Sequence, residues 1–188
     1  MTAHMTTMLN TRLLAFAALL SFFLMQPPAQ AESAQVIDIK VNETLKKFVK
    51  EVAGGKEFLA SAKGVLVFPE VIKAGFGIGG EYGEGALRIG GKTVDYYSTA
   101  SASIGFQLGA QVKSVIIVFL QQEALDAFRK SDGWKAGVDG SVALVTVGAG
   151  VMLDSNTIQD PIVGFVLGSK GLMYNLTLEG SKFTKLVR

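Results

Sequence analysis

The chain has 188 residues, with 18 Lys and Arg against 16 Asp and Glu, one His and no Cys. That length suits one ordinary domain with a real core, and the balanced charge gives no ground for generic nucleic-acid binding. Without cysteine there are no disulfides, thiol nucleophiles or thiolate metal ligands.

The first 31 residues read as a secretory signal peptide. Arg12 supplies the positive charge, Leu13 to Met25 the apolar run, and Pro27 and Pro28 the break. "AQA" at Ala29 to Ala31 is a small-x-small cleavage site, placing the cut before Glu32. The run is shorter than the roughly 20 residues a membrane span needs. No lipoprotein cysteine follows it, so a soluble periplasmic product is expected. The only histidine, His4, leaves with this segment. A mature chain without His or Cys cannot build a Ser-His-Asp triad, a Cys-His pair or a histidine zinc site. No cofactor and no metal site are expected. Residues 32–188 form the expected domain, with 17 basic residues against 16 acids once Arg12 is lost.

Glu32 to Ala53 is predicted to be a helix, because Ile37, Val41, Leu45, Phe48 and Val52 recur at spacings of four and three. Lys40, Lys46, Lys47 and Lys50 lie mostly off that stripe, and Gly54 and Gly55 supply the stop. Two readings stand: the stripe docks on the domain core, or the helix meets a lipid surface with its lysines at the headgroups. "KEFLASAKG" reads as a second short helical turn.

The period then changes to that of strands. "GVLVF" is a short apolar strand ended by Pro69, and "AGFGIGGEYGEGALRIGGK" alternates before turning at "GGK". "TVDYYSTASASIGFQLGAQVKSVIIVFL" reads as two or three strands, and "QQEALDAFRKSDGW" as a helix with Leu125 and Phe128 on one face. "GVDGSVALVTVGAGVML" returns to strand, "DSNTIQD" is a polar loop, and the remainder reads as a last hairpin pair.

Gly75, Gly77 and Gly80 fit the G-x-G-x-x-G spacing of a dinucleotide turn. Such a turn needs a helix N-terminus after the glycines, to receive the pyrophosphate. Here "EYGEGALRI" follows, which alternates like a strand. The pattern G-F-x-x-G also recurs at Gly105 and Gly164. The glycines are therefore read as sheet architecture, with Phe packing inward, and no nucleotide is expected.

Together the strings "AKGVLVFPEVIKAGFGIGGEYGEGAL", "GKTVDYYSTASASIGFQLGAQ", "SDGWKAGVDGSVALV" and "GSKGLMYNLTLEGSKFTK" resemble the SYLF-domain family. They run in family order and cover nearly all of Ala62 to Lys185. The family includes eukaryotic lipid- and actin-binding proteins and many exported bacterial members. The resemblance implies a non-enzymatic phospholipid-binding module that recognises anionic headgroups at a membrane surface.

The basic residues nearest glycine-rich turns are Lys63, Lys73, Lys92, Lys170 and Lys182. A lysine beside exposed backbone N–H groups can hold a phosphate headgroup, or can simply keep strand edges from pairing. The candidate lipid-binding set is Lys40, Lys46, Lys47, Lys50, Lys63, Lys73 and Lys170. Glu81 and Glu84, three apart, face opposite sides of a strand and make no acid/base pair. Of Tyr96 and Tyr97, one ring should enter the core, and Trp134 either caps the core or anchors at an interface.

The expected fold is α+β: a strongly bent antiparallel sheet, tending to a barrel, covered by the N-terminal amphipathic helix and one further helix. Two other functional classes fit the residues. One is an envelope scaffold whose sheet edge pairs with a partner strand. The other is an enzyme using only carboxylates, for which the sequence offers no convincing pair.

Overall fold

The computed structural model describes residues 32–147, 160–168, 178 and 180–188. Within its strands, the side chains of 75–78 and 103–110 fall outside that description. Glu32–Arg188 forms one compact unit. Its elements are α1 (Ala34–Glu51), α2 (Gly55–Ser61), β1 (Gly64–Ile89), β2 (Lys92–Phe119), α3 (Gln122–Lys130), β3 (Trp134–Lys135), β4 (Ala143–Thr146), β5 (Ile162–Leu167) and β6 (Lys182–Leu186).

Helix α1 begins where the Ser33 hydroxyl accepts from the Val36 N–H and ends before Gly54, which takes a left-handed φ of 76°. Ile37, Val41 and Phe48 are fully buried and Val52 nearly so, with Leu45 half-buried beside them. The stripe therefore docks on the sheet, and the first of its two readings holds.

The sheet is organised by one long hairpin. β1 and β2 pair antiparallel from Gly64↔Phe119 to Ile89↔Lys92, turning at Gly90 and Gly91, both at positive φ. The other edge of β2 is shared: β6 pairs with Tyr96–Ala100 and β5 with Ser114–Phe119. β3 extends the β6 side, and β4 extends the β5 side as a parallel partner.

Two details differ from the sequence reading. β1 does not end at Pro69. A bulge between Phe68 and Val71 takes up the proline, whose missing N–H is then not needed by the ladder. The Ser114 hydroxyl donates to the Pro69 carbonyl at 2.7 Å. β2 is one strand of 28 residues rather than two or three, because its glycines meet glycines: Gly105 pairs with Gly77 and Gly109 with Gly75. β5 and β6 each pair with a separate part of β2, and the segment between them, the middle of the expected hairpin pair, lies outside the described residues. The loop at Asp154 and the turn at Lys170 lie outside the described residues.

The hairpin is strongly curled. From Val67 to Gly85, a straight strand would run roughly 60 Å at its usual rise. Yet a Cβ at Gly85 would collide with the Val67 carbonyl oxygen, and one at Gly83 would sit 2.6 Å from that of Glu70. The two ends of β1 thus cross almost backbone to backbone, which only glycine permits. The bend between them is the "GFGIGG" stretch, so these glycines serve the sheet, and no helix opens after them.

Both faces of the sheet are buried. Leu66, Phe68, Val115, Ile117 and Phe119 point to an inner core filled by Leu125, Phe128, Trp134 and Phe183. Their alternating neighbours Val65, Val67, Ile116 and Val118 point to an outer core with Phe165. α1 and α2 cover that outer side: Phe48 and Phe58 both pack edge-on against Phe165, with centroids 4.8 and 5.5 Å away.

Candidate lipid-facing site

Burial of its apolar stripe fixes which face of α1 looks outward. Lys46, Lys47 and Lys50 are all exposed, and none forms an ion pair among the described residues. Val36, Ile39 and Val49 are also exposed, Ile39 by 52%. The helix thus presents cations beside apolar side chains to solvent. Lys50 in the last turn suits the negative end of the helix dipole.

The other candidate lysines are placed differently. Lys40 lies between Glu32 (2.5 Å) and Glu70 (2.6 Å), which neutralise it locally. The hydrogen bonds it donates to Glu32 and Glu70 raise its pKa against the opposing effect of burial. Lys63 is exposed at the start of β1, with its backbone N–H on the Phe119 carbonyl. Lys73 reaches Glu81 at 3.4 Å, and Lys113 reaches the other oxygen of Glu81 at 2.7 Å. Lys92 and Lys182 are exposed, and Lys170 lies outside the described residues.

The Lys73–Glu81–Lys113 cluster was not legible in the sequence. Glu81 follows Lys73 by eight residues, so they meet only because β1 bends between them. Lys113 is 5% exposed, and its pairing with Glu81 answers the charge that burial would otherwise leave unpaired. Glu84 does face the other way, where it accepts from the Tyr82 hydroxyl and pairs with Arg188.

A second polar cluster ties α1 to the hairpin. Asp38 accepts from the Thr93 hydroxyl at 2.7 Å and from the Tyr96 hydroxyl at 3.1 Å. Burial, then the hydrogen bond to Asp38, raises the Tyr96 pKa. Tyr97 is the core-facing ring of the pair, and burial pushes its phenol up to about 12. Trp134 is buried against Phe128 and Phe183 and so caps the core. Among the described residues no three His, Cys, Asp or Glu stand together as a metal site.

The arrangement is a curled sheet with both faces packed, carrying a helix whose exposed side bears Lys46, Lys47 and Lys50 together with Glu43 and Glu51. Part of the chain is similar to known proteins. A model described as Ysc84, "Las17-binding protein actin regulator", matches residues 100–186. Proteins named "SH3 domain-containing YSC84-like protein 1" from Rattus norvegicus and Mus musculus are each 28% identical over 130 residues, covering 65% of this chain. The chain matches 37% of the length of those relatives. Over residues 100–186 the chain is thus similar to the Ysc84 family.

Proposed function

We propose that this is a non-enzymatic phospholipid-binding protein of the bacterial cell envelope, acting at membrane surfaces through anionic headgroups. One observation carries the reading: α1 spends its apolar stripe on the core and still presents Lys46, Lys47 and Lys50 beside exposed Val36, Ile39 and Val49. Cations at the headgroups with short apolar side chains between them are the chemistry of an interfacial helix. The similarity of residues 100–186 to the Ysc84 family model supports a binding role. The signal-like first 31 residues support a working protein in the periplasm, with cleavage before Glu32.

Vesicle flotation tests this. The chain should float with phosphatidylglycerol vesicles and stay in the heavy fraction with phosphatidylcholine. Binding should weaken as salt rises, since exposed charges are screened over about 8 Å at physiological ionic strength. Equal binding to both vesicles, or to neither, would remove the lipid-surface reading. The second outcome would favour a scaffold that pairs with a protein strand.

A further inference from the structure

A cleft opens away from the outward face of α1. A cavity of about 410 Å³ lies between α1, α2 and the turn end of the β1–β2 hairpin. Pockets for small organic ligands start at roughly 300 Å³. Its walls are Leu45, Leu59, Ala62 and Val65, and its two charged lining residues are both cations, Lys56 and Arg88.

Arg88 is under-coordinated. Its side chain is 14% exposed, yet its contacts are all long: 3.3 Å to the Gly91 carbonyl, and 3.4 and 3.5 Å to the carbonyl and carboxylate of Asp38. Its Nε is buried with no partner. Asp38 spends its shorter contacts on Thr93 and Tyr96. A buried guanidinium with an unmatched donor is costly unless an anion completes it. Lys56, exposed at the same cleft, has no ion pair among the described residues.

We infer that this cleft takes a single anionic amphiphile, with its acidic head at Arg88 and Lys56 and its acyl chain against Leu45, Leu59, Ala62 and Val65. Two cations without apolar walls would suit a free phosphate, and apolar walls without cations would suit any hydrocarbon. The combination selects a molecule that has both parts. The ligand class rests on the lipid reading above, while the place rests on the cleft alone. The outward lysines of α1 would then meet the bilayer, and the cleft would hold one lipid molecule removed from it.

Isothermal titration with lauroyl lysophosphatidic acid, kept below its micelle concentration, tests this. One molecule should bind per chain, at least tenfold more tightly than glycerol 3-phosphate or dodecanol. Lys56→Gln should weaken binding about tenfold, the scale of one charge-assisted hydrogen bond. Ala60→Trp, at an exposed lining position, should fill the cleft and abolish binding with the melting temperature unchanged. Arg88→Lys keeps the charge but loses the fork, and should also weaken binding. No uptake, equal binding of dodecanol, or full binding by Ala60→Trp would overturn the assignment. The two lipid readings fail separately. Replacing Lys46, Lys47 and Lys50 with Gln should abolish flotation and leave this uptake intact. Flotation without uptake would sink the cleft alone.

Discussion

The two faces of α1 use similar side chains to opposite ends. Inward, Ile37, Val41 and Phe48 are fully buried on the sheet. Outward, Val36, Ile39 and Val49 stay exposed among Lys46, Lys47 and Lys50. A valine or isoleucine on this helix is therefore structural or available for a partner according to its angular position, not its type. Amphipathic spacing announces a buried face without saying what buries it. Here the sheet already does so, and any contact of α1 with a bilayer surface must use the other face.

The largest effect should come from breaking the platform on which the inner face docks. Gly85→Ala drives a Cβ into the Val67 carbonyl, backbone against backbone, and should cost at least about 4 kcal/mol or prevent folding. Gly80→Ala is the control: its Cβ would lie at an ordinary 3.5 Å from the Ser101 carbonyl, and denaturant unfolding should show little change.

Next comes the inner face itself. Phe48→Ala removes a fully buried ring that packs on Phe165, and should cost about 3–5 kcal/mol by the same measurement. Vesicle binding per folded molecule should not change. On the outer face, Ile39→Ser should stay within about 0.5 kcal/mol in stability. It should weaken flotation modestly, since one exposed apolar contact is lost.

A smaller effect sharpens the contrast on the other side of the sheet. The Tyr97 hydroxyl is buried with no hydrogen-bond partner, so Tyr97→Phe should be neutral or stabilising by about 1 kcal/mol at pH 7. Burial holds its folded pKa at about 12, above the ordinary tyrosine value of 10.0. The unfolded chain therefore releases this proton first. The contribution is whole below pH 10 and is lost as pH rises through about 12. The phenylalanine variant should lack that part of the alkaline loss, as parallel denaturation series above pH 9 would show.

Much of this fold was legible because its signals are local. The 3.6-residue period gave α1, the Gly90–Gly91 pair gave the hairpin turn, and alternation separated Glu81 from Glu84. Strand ends were harder. Pro69 is ordinarily a stop, and only the bulge opposite Lys113 and Ser114 lets β1 continue. The glycines of "GFGIGG" were correctly assigned to the sheet, but their partners were not visible. That Gly75 and Gly77 face Gly109 and Gly105 depends on a register set elsewhere in the hairpin. The candidate site was legible as residue types only. Lys40, Lys46 and Lys47 look alike in sequence. Only the fold sets Lys40 between Glu32 and Glu70 and leaves its neighbours facing solvent. The cleft at Arg88 had no sequence signal, because its walls come from three separate elements.

The most direct test measures stability and membrane affinity together in the variant with Lys46, Lys47 and Lys50 all changed to Gln. Each lysine at an anionic surface contributes on the order of 1 kcal/mol, so affinity for phosphatidylglycerol vesicles at low salt should fall by roughly two decades. The melting temperature should match the parent, because these side chains lie off the buried stripe. A variant that binds as tightly as the parent, with its fold intact, would show that the outward face of α1 is not the lipid surface.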